Sequence, residues 1–184
     1  MGGMKRMIFA AAATLAVPAP PGGLLSQEPL AVGVRVFYGP RAGFEDLDLR
    51  LIGGAKKSID MAAYVLTDRA VISALGAAAM RGVRVRIYLD GEERGGLSPA
   101  IEAVAAARNM EIRRKGRSRD LMHLKSYQVD GRALRSGSAN FSVSGAEFQD
   151  NDLILIESPA AVAQFEETFE RLWARSDNQK IGSR

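Results

Sequence analysis

Short strand-like segments alternate with amphipathic helix-like segments along most of this 184-residue chain, and this alternation constrains its fold more than any other feature. Apolar and polar side chains alternate over residues 83–89, which is typical of a strand with one buried face. Helical crossovers between strands favour parallel neighbours in one sheet. We therefore predict an α/β fold of one domain, in which a mixed, largely parallel β-sheet is sandwiched between helices.

The boundaries of the predicted elements follow from apolar periodicity, capping residues and turn signals. Strands are predicted at residues 32–37, 59–66, 83–89, 110–113, 121–129, 133–137 and 153–157. Helices are predicted to begin at Phe44, Asp68, Ser98 and Ser158. The folded domain thus spans residues 32–175, and residues 176–184 form a polar tail that we expect to fray.

The first 19 residues have the pattern of a secretory signal. Lys5 and Arg6 precede an alanine-rich apolar run of about ten residues, and small residues and prolines follow it. We expect export, so that the protein is secreted or periplasmic, with a linker over residues 20–31. The run is short for a bilayer span, so we expect no stable membrane insertion after removal of the signal.

The cysteine and histidine counts exclude several classes of site. The chain has no cysteine, which excludes disulfides, thiol nucleophiles and cysteine zinc sites. His123 is the only histidine, which excludes zinc sites that need two histidines from one chain.

Positive charge is concentrated in one part of the chain. The formal charge of the whole chain is +4, whereas residues 111–135 hold eight basic and three acidic side chains, a net of +5. Such a stretch favours a polyanionic partner, although a solvated loop has the same composition. The candidate substrate-binding residues in it are Arg113, Arg114, Lys115, Arg117 and Arg119.

One segment carries residues suited to catalysis. Residues 123–140 contain the pattern H-x-K, four residues, D, six residues, G-S-x-N, which matches by chance in about a few chains per million. On a strand, residues two apart share a face, so His123 and Lys125 are predicted to project together. A turn at Asp130 and Gly131 sends the chain back and returns residues 137–140 toward His123.

These residue types suit attack on a phosphodiester. A neutral imidazole can attack phosphorus and form a covalent intermediate, and a neighbouring lysine can stabilise charge on the phosphoryl oxygens. Ser138 and Asn140 can donate hydrogen bonds to the same oxygens, and Gly137 lets the backbone approach closely. A core histidine and a strand-edge lysine are the structural alternatives, and the combined spacing disfavours both.

The segment resembles the single HKD motif of the phospholipase D superfamily, and the likeness extends from about residue 32 to residue 173. It is most similar to the small, secreted, endonuclease-like bacterial members with one motif per chain. Residues 55–64 and 81–90 also resemble the first half of this family. The resemblance implies a phospholipase D-like catalytic domain over residues 32–175, acting as a phosphodiesterase without a metal or other cofactor.

The resemblance further implies a phosphohistidine intermediate and a homodimer in which each subunit supplies one histidine. It implies a structural role for Asp130 in the turn. It also implies an acidic residue after the G-S-x-N segment that orients His123, and Glu147 is the candidate, with Asp150 and Asp152 as alternatives. A monomer that uses a carboxylate such as Glu147 as the acid is the alternative to the shared site.

We therefore predict a non-specific nuclease whose substrate is DNA, RNA or both. The first alternative is a phospholipase D-type hydrolase of lipid head groups, since basic patches also bind anionic lipids. The second alternative is a nucleic-acid-binding module without catalytic activity.

Overall fold

An eight-stranded sheet runs through the described part of the chain, which in this computed structural model comprises residues 33–40, 42–91, 97–116 and 119–182. The strands are β1 (Val34–Tyr38), β2 (Ser58–Ala63), β3 (Arg84–Leu89), β4 (Met110–Arg114), β5 (Lys125–Val129), β6 (Ala133–Gly137), β7 (Asp152–Ile156) and β8 (Gln179–Ile181). The helices are α1 (Phe44–Gly54), α2 (Arg69–Met80), α3 (Pro99–Ala105), α4 (Val143–Glu147) and α5 (Pro159–Trp173). The predicted signal and linker over residues 1–31 lie outside the described residues.

The strand order across the sheet is β1-β7-β6-β5-β2-β3-β4-β8. β2, β3 and β4 are parallel neighbours, because α2 and α3 connect them as crossovers. The other five pairings are antiparallel. The predicted α/β domain with a mixed sheet is confirmed, but the expectation that the sheet is largely parallel is wrong. The tight turn after β5 permits only an antiparallel neighbour, and β1 and β8 also join the sheet antiparallel at its two edges.

Capping residues set the helix starts where the sequence predicts them. The Asp68 carboxylate accepts hydrogen bonds from the backbone N–H groups of Ala70 and Val71 at the start of α2. The hydroxyls of Ser98 and Ser158 cap α3 and α5, and proline is the first residue of both helices.

The two faces of the sheet are covered by different helices. Alternate residues of β2 and β3 pack with α1, α2 and α3 on one face, and α4 packs beside α1 on the same face. The other face holds Ala62, Tyr88 and Leu134 against the apolar stripe of α5, which confirms the core role predicted for that stripe. The stripe consists of Val162, Phe165, Phe169, Leu172 and Trp173.

Several predicted boundaries differ from the structure: β2, for example, ends at Ala63 rather than at residue 66, and α4 has no counterpart among the predicted helices. β5 begins at Lys125 rather than at residue 121, so His123 precedes the strand. The predicted polar tail contains β8, which pairs with β4, forms one edge of the sheet and packs Ile181 against the core. A strand of three residues is too short to show an apolar period in the sequence.

Candidate active site

Four chain segments meet at one end of the sheet and carry the predicted motif. β5 begins there at Lys125, opposite Ala63, the last residue of β2. β6 ends there at Gly137, opposite Leu153 of β7. Because β2 and β6 end where β5 and β7 begin, this end of the sheet collects residues 64–68, 121–125, 137–141 and 150–152.

His123 and Lys125 lie side by side, as the sequence predicts. The Lys125 Nζ atom is 3.2 Å from His123 Nδ1 and 3.3 Å from Nε2, and it donates to the His123 carbonyl oxygen at 3.0 Å. His123 is exposed, whereas Lys125 is only 7% exposed. Burial, followed by the positive charge of Arg135, lowers the pKa of the Lys125 ammonium. A solvent-facing imidazole thus lies next to an ammonium group that is fixed by a hydrogen bond. This arrangement is suited to attack on an anionic centre.

A third side chain, that of Tyr64, lies beside His123 and Lys125. Tyr64 is not identified as a site residue from the sequence. Its ring centre lies 4.3 Å from that of His123 and 5.1 Å from Lys125 Nζ. The Tyr64 backbone N–H donates to the Leu124 carbonyl oxygen at 2.8 Å, which continues the pairing of β2 with β5. The signal in the sequence is positional, because Tyr64 directly follows the buried strand that pairs with the H-x-K segment.

The G-S-x-N segment is fixed against the start of β7. Gly137 has φ 131°, and a Cβ atom there would lie 2.4 Å from the Asp152 carbonyl oxygen, so only glycine fits. The Ser138 hydroxyl donates to Asn151 Oδ1 at 3.1 Å and accepts from the Asp152 backbone N–H at 2.9 Å. Ser138 therefore anchors the segment in this structure, with its hydroxyl hydrogen directed to Asn151.

Asn140 keeps one polar atom without a partner. Its side-chain Oδ1 is buried and accepts no hydrogen bond in the described part of the structure. The next residue, Phe141, donates its backbone N–H to the Val65 carbonyl oxygen at 3.2 Å, which holds Asn140 beside the segment that follows Tyr64. The motif halves are thus brought to the same end of the sheet.

Asp130 lies at the opposite end of β5 from His123, about 20 Å along the strand. Its carboxylate accepts backbone N–H bonds from Lys56, Lys57 and Ser58 at 2.7–3.1 Å. Partial burial raises the pKa of Asp130, but these bonds outweigh it, and the pKa lies below its ordinary value. This position fits the structural role in the turn that the resemblance implies, and it does not place Asp130 with the other motif residues.

The candidate carboxylates after the motif lie in different places. Glu147 ends α4 near Glu45, whose pKa is raised by burial and then by nearby carboxylates, including that of Glu147. Neither Glu147 nor Asp150 forms a hydrogen bond with His123 among the residues described. Asp152 accepts from the Ser138 backbone N–H at 3.1 Å, and hydrogen bonding to the side chain and then the backbone of Ser138 holds the pKa of Asp152 below its ordinary value.

The first two arginines of the basic stretch, Arg113 and Arg114, contact the C-terminal part of the chain. The Arg113 guanidinium donates to the Trp173 carbonyl oxygen at 2.7 Å and lies 4.3 Å from the Trp173 ring centre. Arg114 donates to Gln179 Oε1 at 2.9 Å. Both arginines therefore tie β4 to the residues around β8, in contrast to a row of free cations.

A cleft of about 410 Å³ lies beside His123, which forms part of its lining. Lys115 is 5% exposed, lines this cleft, and donates from its ammonium to the Asp120 carbonyl oxygen. Arg119 is exposed, whereas Arg117 lies outside the described residues. Arg175, a cation outside the basic stretch, also lines the cleft. Other lining residues are Lys115, Asp120, Met122, His123 and Thr168.

Two features are absent from the described residues. They contain no group of three or more acidic, histidine or cysteine side chains placed to hold a metal ion. None of their helices combines the length and apolar character that a membrane crossing requires.

Comparisons with known proteins identify the family of this chain. The profile of the family described as "Cardiolipin synthase, PLD-like domain" matches residues 49–173. A mitochondrial cardiolipin hydrolase of Danio rerio is 30% identical over 149 residues, which cover 80% of this chain and 65% of that protein. A phospholipase D of Rickettsia prowazekii is 33% identical over 125 residues, which cover 67% of this chain and 60% of that protein.

The fold has a solved counterpart of nearly the same extent. The crystal structure of Nuc from Salmonella typhimurium, a phospholipase D family member, superposes with a TM-score of 0.70 and 30% sequence identity. The match covers 82% of this chain and 99% of that one. By contrast, this chain spans less than two thirds of the length of the two curated relatives.

Proposed function

Because this chain belongs to the phospholipase D superfamily, a family of phosphodiester hydrolases, we propose that it is a metal-independent phosphodiesterase that cleaves nucleic acid without sequence specificity. The observation that carries this proposal is the contact of the exposed His123 imidazole with the buried Lys125 ammonium at 3.2 Å. A nucleophile open to solvent and a fixed cation beside it are the two elements that attack on an anionic phosphorus requires.

The reaction proceeds in two displacements. A neutral His123 attacks phosphorus, so that a nitrogen–phosphorus bond forms while the bond to the leaving oxygen breaks and a general acid protonates that oxygen. Water then attacks the phosphohistidine, gives its proton to a base and releases the second product. Lys125 stabilises the phosphoryl oxygens in both steps, and Asn140 is suited to donate to them from the facing segment.

The acid in the first step is a second His123, supplied by another copy of the chain. A single histidine cannot be both nucleophile and acid at the same moment, and the chain contains no other. A two-fold axis brings a residue opposite its own copy, and the exposed position of His123 permits such an approach. The functional unit is therefore a homodimer with one shared site.

Nucleic acid is the favoured substrate because cations flank the cleft. Lys115 and Arg175 line it together with Asp120 and Asp177, and Arg119, the residue before Asp120, is exposed. Cations of this kind bind a phosphate backbone without reading bases. The pattern of residues 1–19 supports a secreted or periplasmic location, where the substrate would be extracellular DNA or RNA.

A lipid diester is the second candidate, and two observations favour it. Relatives of this chain are named cardiolipin hydrolase and phospholipase D. Leu121 and Leu124 are 49% and 36% exposed on either side of His123, so apolar surface borders the nucleophile. Acyl chains could lie against these leucines while the head-group phosphate reaches the imidazole.

A substrate panel tests these proposals. The purified protein is given supercoiled plasmid, single-stranded RNA or cardiolipin vesicles, with and without EDTA, and His123→Ala serves as the inactive control. We expect nicking of the plasmid or digestion of the RNA, unaffected by EDTA, and loss of about 10³-fold or more in the variant. Hydrolysis of lipid alone would replace the first candidate by the second, and binding without cleavage would indicate a non-catalytic module. Inhibition by EDTA that a divalent cation reverses would contradict a metal-independent reaction.

A further inference from the structure

The backbone pairing of the β5–β6 hairpin ends just before the active site. Its ladder pairs Val129 with Ala133 and ends at the pair Tyr127–Arg135. Beyond that pair, Lys125 is matched with Ala63 of β2, whereas Gly137 is matched with Leu153 of β7. The next pair, Ser126 and Ser136, still contacts through its hydroxyls at 3.0 Å, but the backbone pairing of the hairpin stops before the H-x-K and G-S-x-N segments.

The Arg135 side chain links the H-x-K segment to the G-S-x-N segment. Its Nη1 atom donates to the Lys125 carbonyl oxygen at 2.9 Å and to the Ala139 carbonyl oxygen at 3.0 Å. Arg135 is 1% exposed, so water does not compete for either carbonyl. One planar group thus binds the backbone of both motif halves where the ladder has ended.

The guanidinium is itself held in one orientation. Arg135 Nε and Nη2 bind the two Asp48 carboxylate oxygens at 3.1 Å and 3.3 Å, which is a bidentate pair from α1. The Tyr127 hydroxyl donates to Asp48 at 2.8 Å, and Phe141 lies 4.4 Å below the guanidinium. Asp48 is 3% exposed, so both charges are buried and compensate each other.

We propose that Arg135 is a positioning residue, which sets the distance between the H-x-K segment and the G-S-x-N segment and so aligns His123 and Lys125 with Asn140. The role rests on the proposed phosphodiesterase activity, since alignment matters where all three residues contact one phosphate. The charge of Arg135 also acts on the nearby Lys125, whose pKa it helps to lower. Arg135 thus belongs to the interior of the site, although it contributes to the basic composition of residues 111–135.

Substitutions at Arg135 test this role. Arg135→Lys keeps the charge but cannot bind two carbonyls and a carboxylate together. The double variant Asp48→Leu with Arg135→Met removes the buried pair, a replacement that proteins often tolerate without loss of stability. We expect kcat on a nitrophenyl diester and on plasmid to fall about 100-fold in both, with KM changed less than about threefold, because small misplacements reduce kcat strongly. Tyr127→Phe, which deletes one bond to Asp48, is the mildest variant and should lower kcat about threefold.

Arg86→Met is the matched control. Arg86 is likewise the partner of a buried aspartate, since its Nε donates to Asp60 at 2.6 Å, but it is only half-buried and lies over the Phe169 ring of α5 on the other face of the sheet. It should lower the melting temperature while kcat remains near that of the wild type. A kcat loss in the Arg135 variants no larger than in Arg86→Met would reduce Arg135 to a purely stabilising role and overturn the proposal.

The only histidine provides a readout that does not depend on activity. In a protein without a histidine tag, the proton NMR signals of the imidazole ring arise from His123 alone. We expect these signals to shift in Arg135→Lys and in Tyr127→Phe, and to stay in place in Arg86→Met. If the wild type cleaves no diester, the proposed function fails, while the NMR comparison still decides whether Arg135 controls the surroundings of His123. Unshifted signals in folded Arg135 variants would refute the positioning role.

Discussion

Asp130 is expected to stabilise the protein without taking part in the reaction. Its carboxylate accepts backbone N–H bonds from three consecutive residues, Lys56, Lys57 and Ser58, and its side chain is 8% exposed. Hydrogen bonds to a charged group contribute about 1.5–3 kcal/mol each, and they are not additive when they share one acceptor. Asp130 also has φ 56°, a conformation that asparagine tolerates and that costs alanine about 1 kcal/mol.

From these contacts we expect Asp130→Ala to lower the free energy of unfolding by about 3–5 kcal/mol, and Asp130→Asn by about 1–2 kcal/mol. The pKa of Asp130 is lower in the folded state than its ordinary value of 3.8. Its charge therefore stabilises the fold fully above the unfolded pKa, and this contribution is lost as the pH falls through the folded pKa. The difference between wild type and Asp130→Asn should thus shrink between about pH 5 and pH 3.

Urea unfolding followed by fluorescence of the single tryptophan measures these differences, and kcat on a diester is measured in parallel. Glu167→Gln, which removes an exposed charge on α5, is the control for loss of charge alone and should change neither quantity. Asp130→Asn should keep kcat within about threefold of the wild type, because the turn is about 20 Å from His123. A loss of kcat greater than tenfold with unchanged stability would refute the structural role and place Asp130 in the chemistry.

Three further predictions concern the site. Gly137→Ala should lower the melting temperature and the activity together, because its Cβ atom would meet the Asp152 carbonyl oxygen at 2.4 Å; a folded, active variant would contradict this. Tyr64→Ala should lower kcat about tenfold through loss of the ring beside His123, whereas Tyr64→Phe should retain activity, as steady-state kinetics can show. Wild-type and His123→Ala chains refolded together in equal amounts should show about one quarter of the activity of the same total protein as wild type, and a result of one half would favour independent sites.

The motif and most element boundaries could be predicted because they depend on local signals. Capping by Asp68, Ser98 and Ser158 acts within three residues of each helix start, and the turn at Asp130 lies between two adjacent strands. The sequence predicts that His123 and Lys125 lie together because they are two residues apart on one strand. His123 precedes β5, however, and the two residues are joined by the bond from the Lys125 ammonium to the His123 carbonyl oxygen. The predicted pairing of these two side chains is confirmed by the distances between them.

Local sequence signals could not show which charged side chains lie at the surface and which are buried. Arg113 and Arg135 both contribute to the net charge of the basic stretch, yet one packs on Trp173 and the other is fully buried. The partner of Arg135 is Asp48, 87 positions earlier in the chain, and no periodic pattern links residues at that separation. The small number of parallel strand pairs likewise depends on the order of the strands across the sheet, including the positions of β1 and β8 at its edges.

The sequence by itself indicated the chemistry, since one imidazole, one lysine and the G-S-x-N segment stand in a spacing that resembles the HKD motif of the phospholipase D superfamily. Only the tertiary structure decided how these residues are held together. The β5–β6 ladder ends at Arg135, and the bond from its guanidinium to the Ala139 carbonyl then replaces backbone pairing. A buried backbone carbonyl needs a hydrogen-bond donor, but which side chain supplies it depends on the packing of distant elements and therefore appears only in the folded chain.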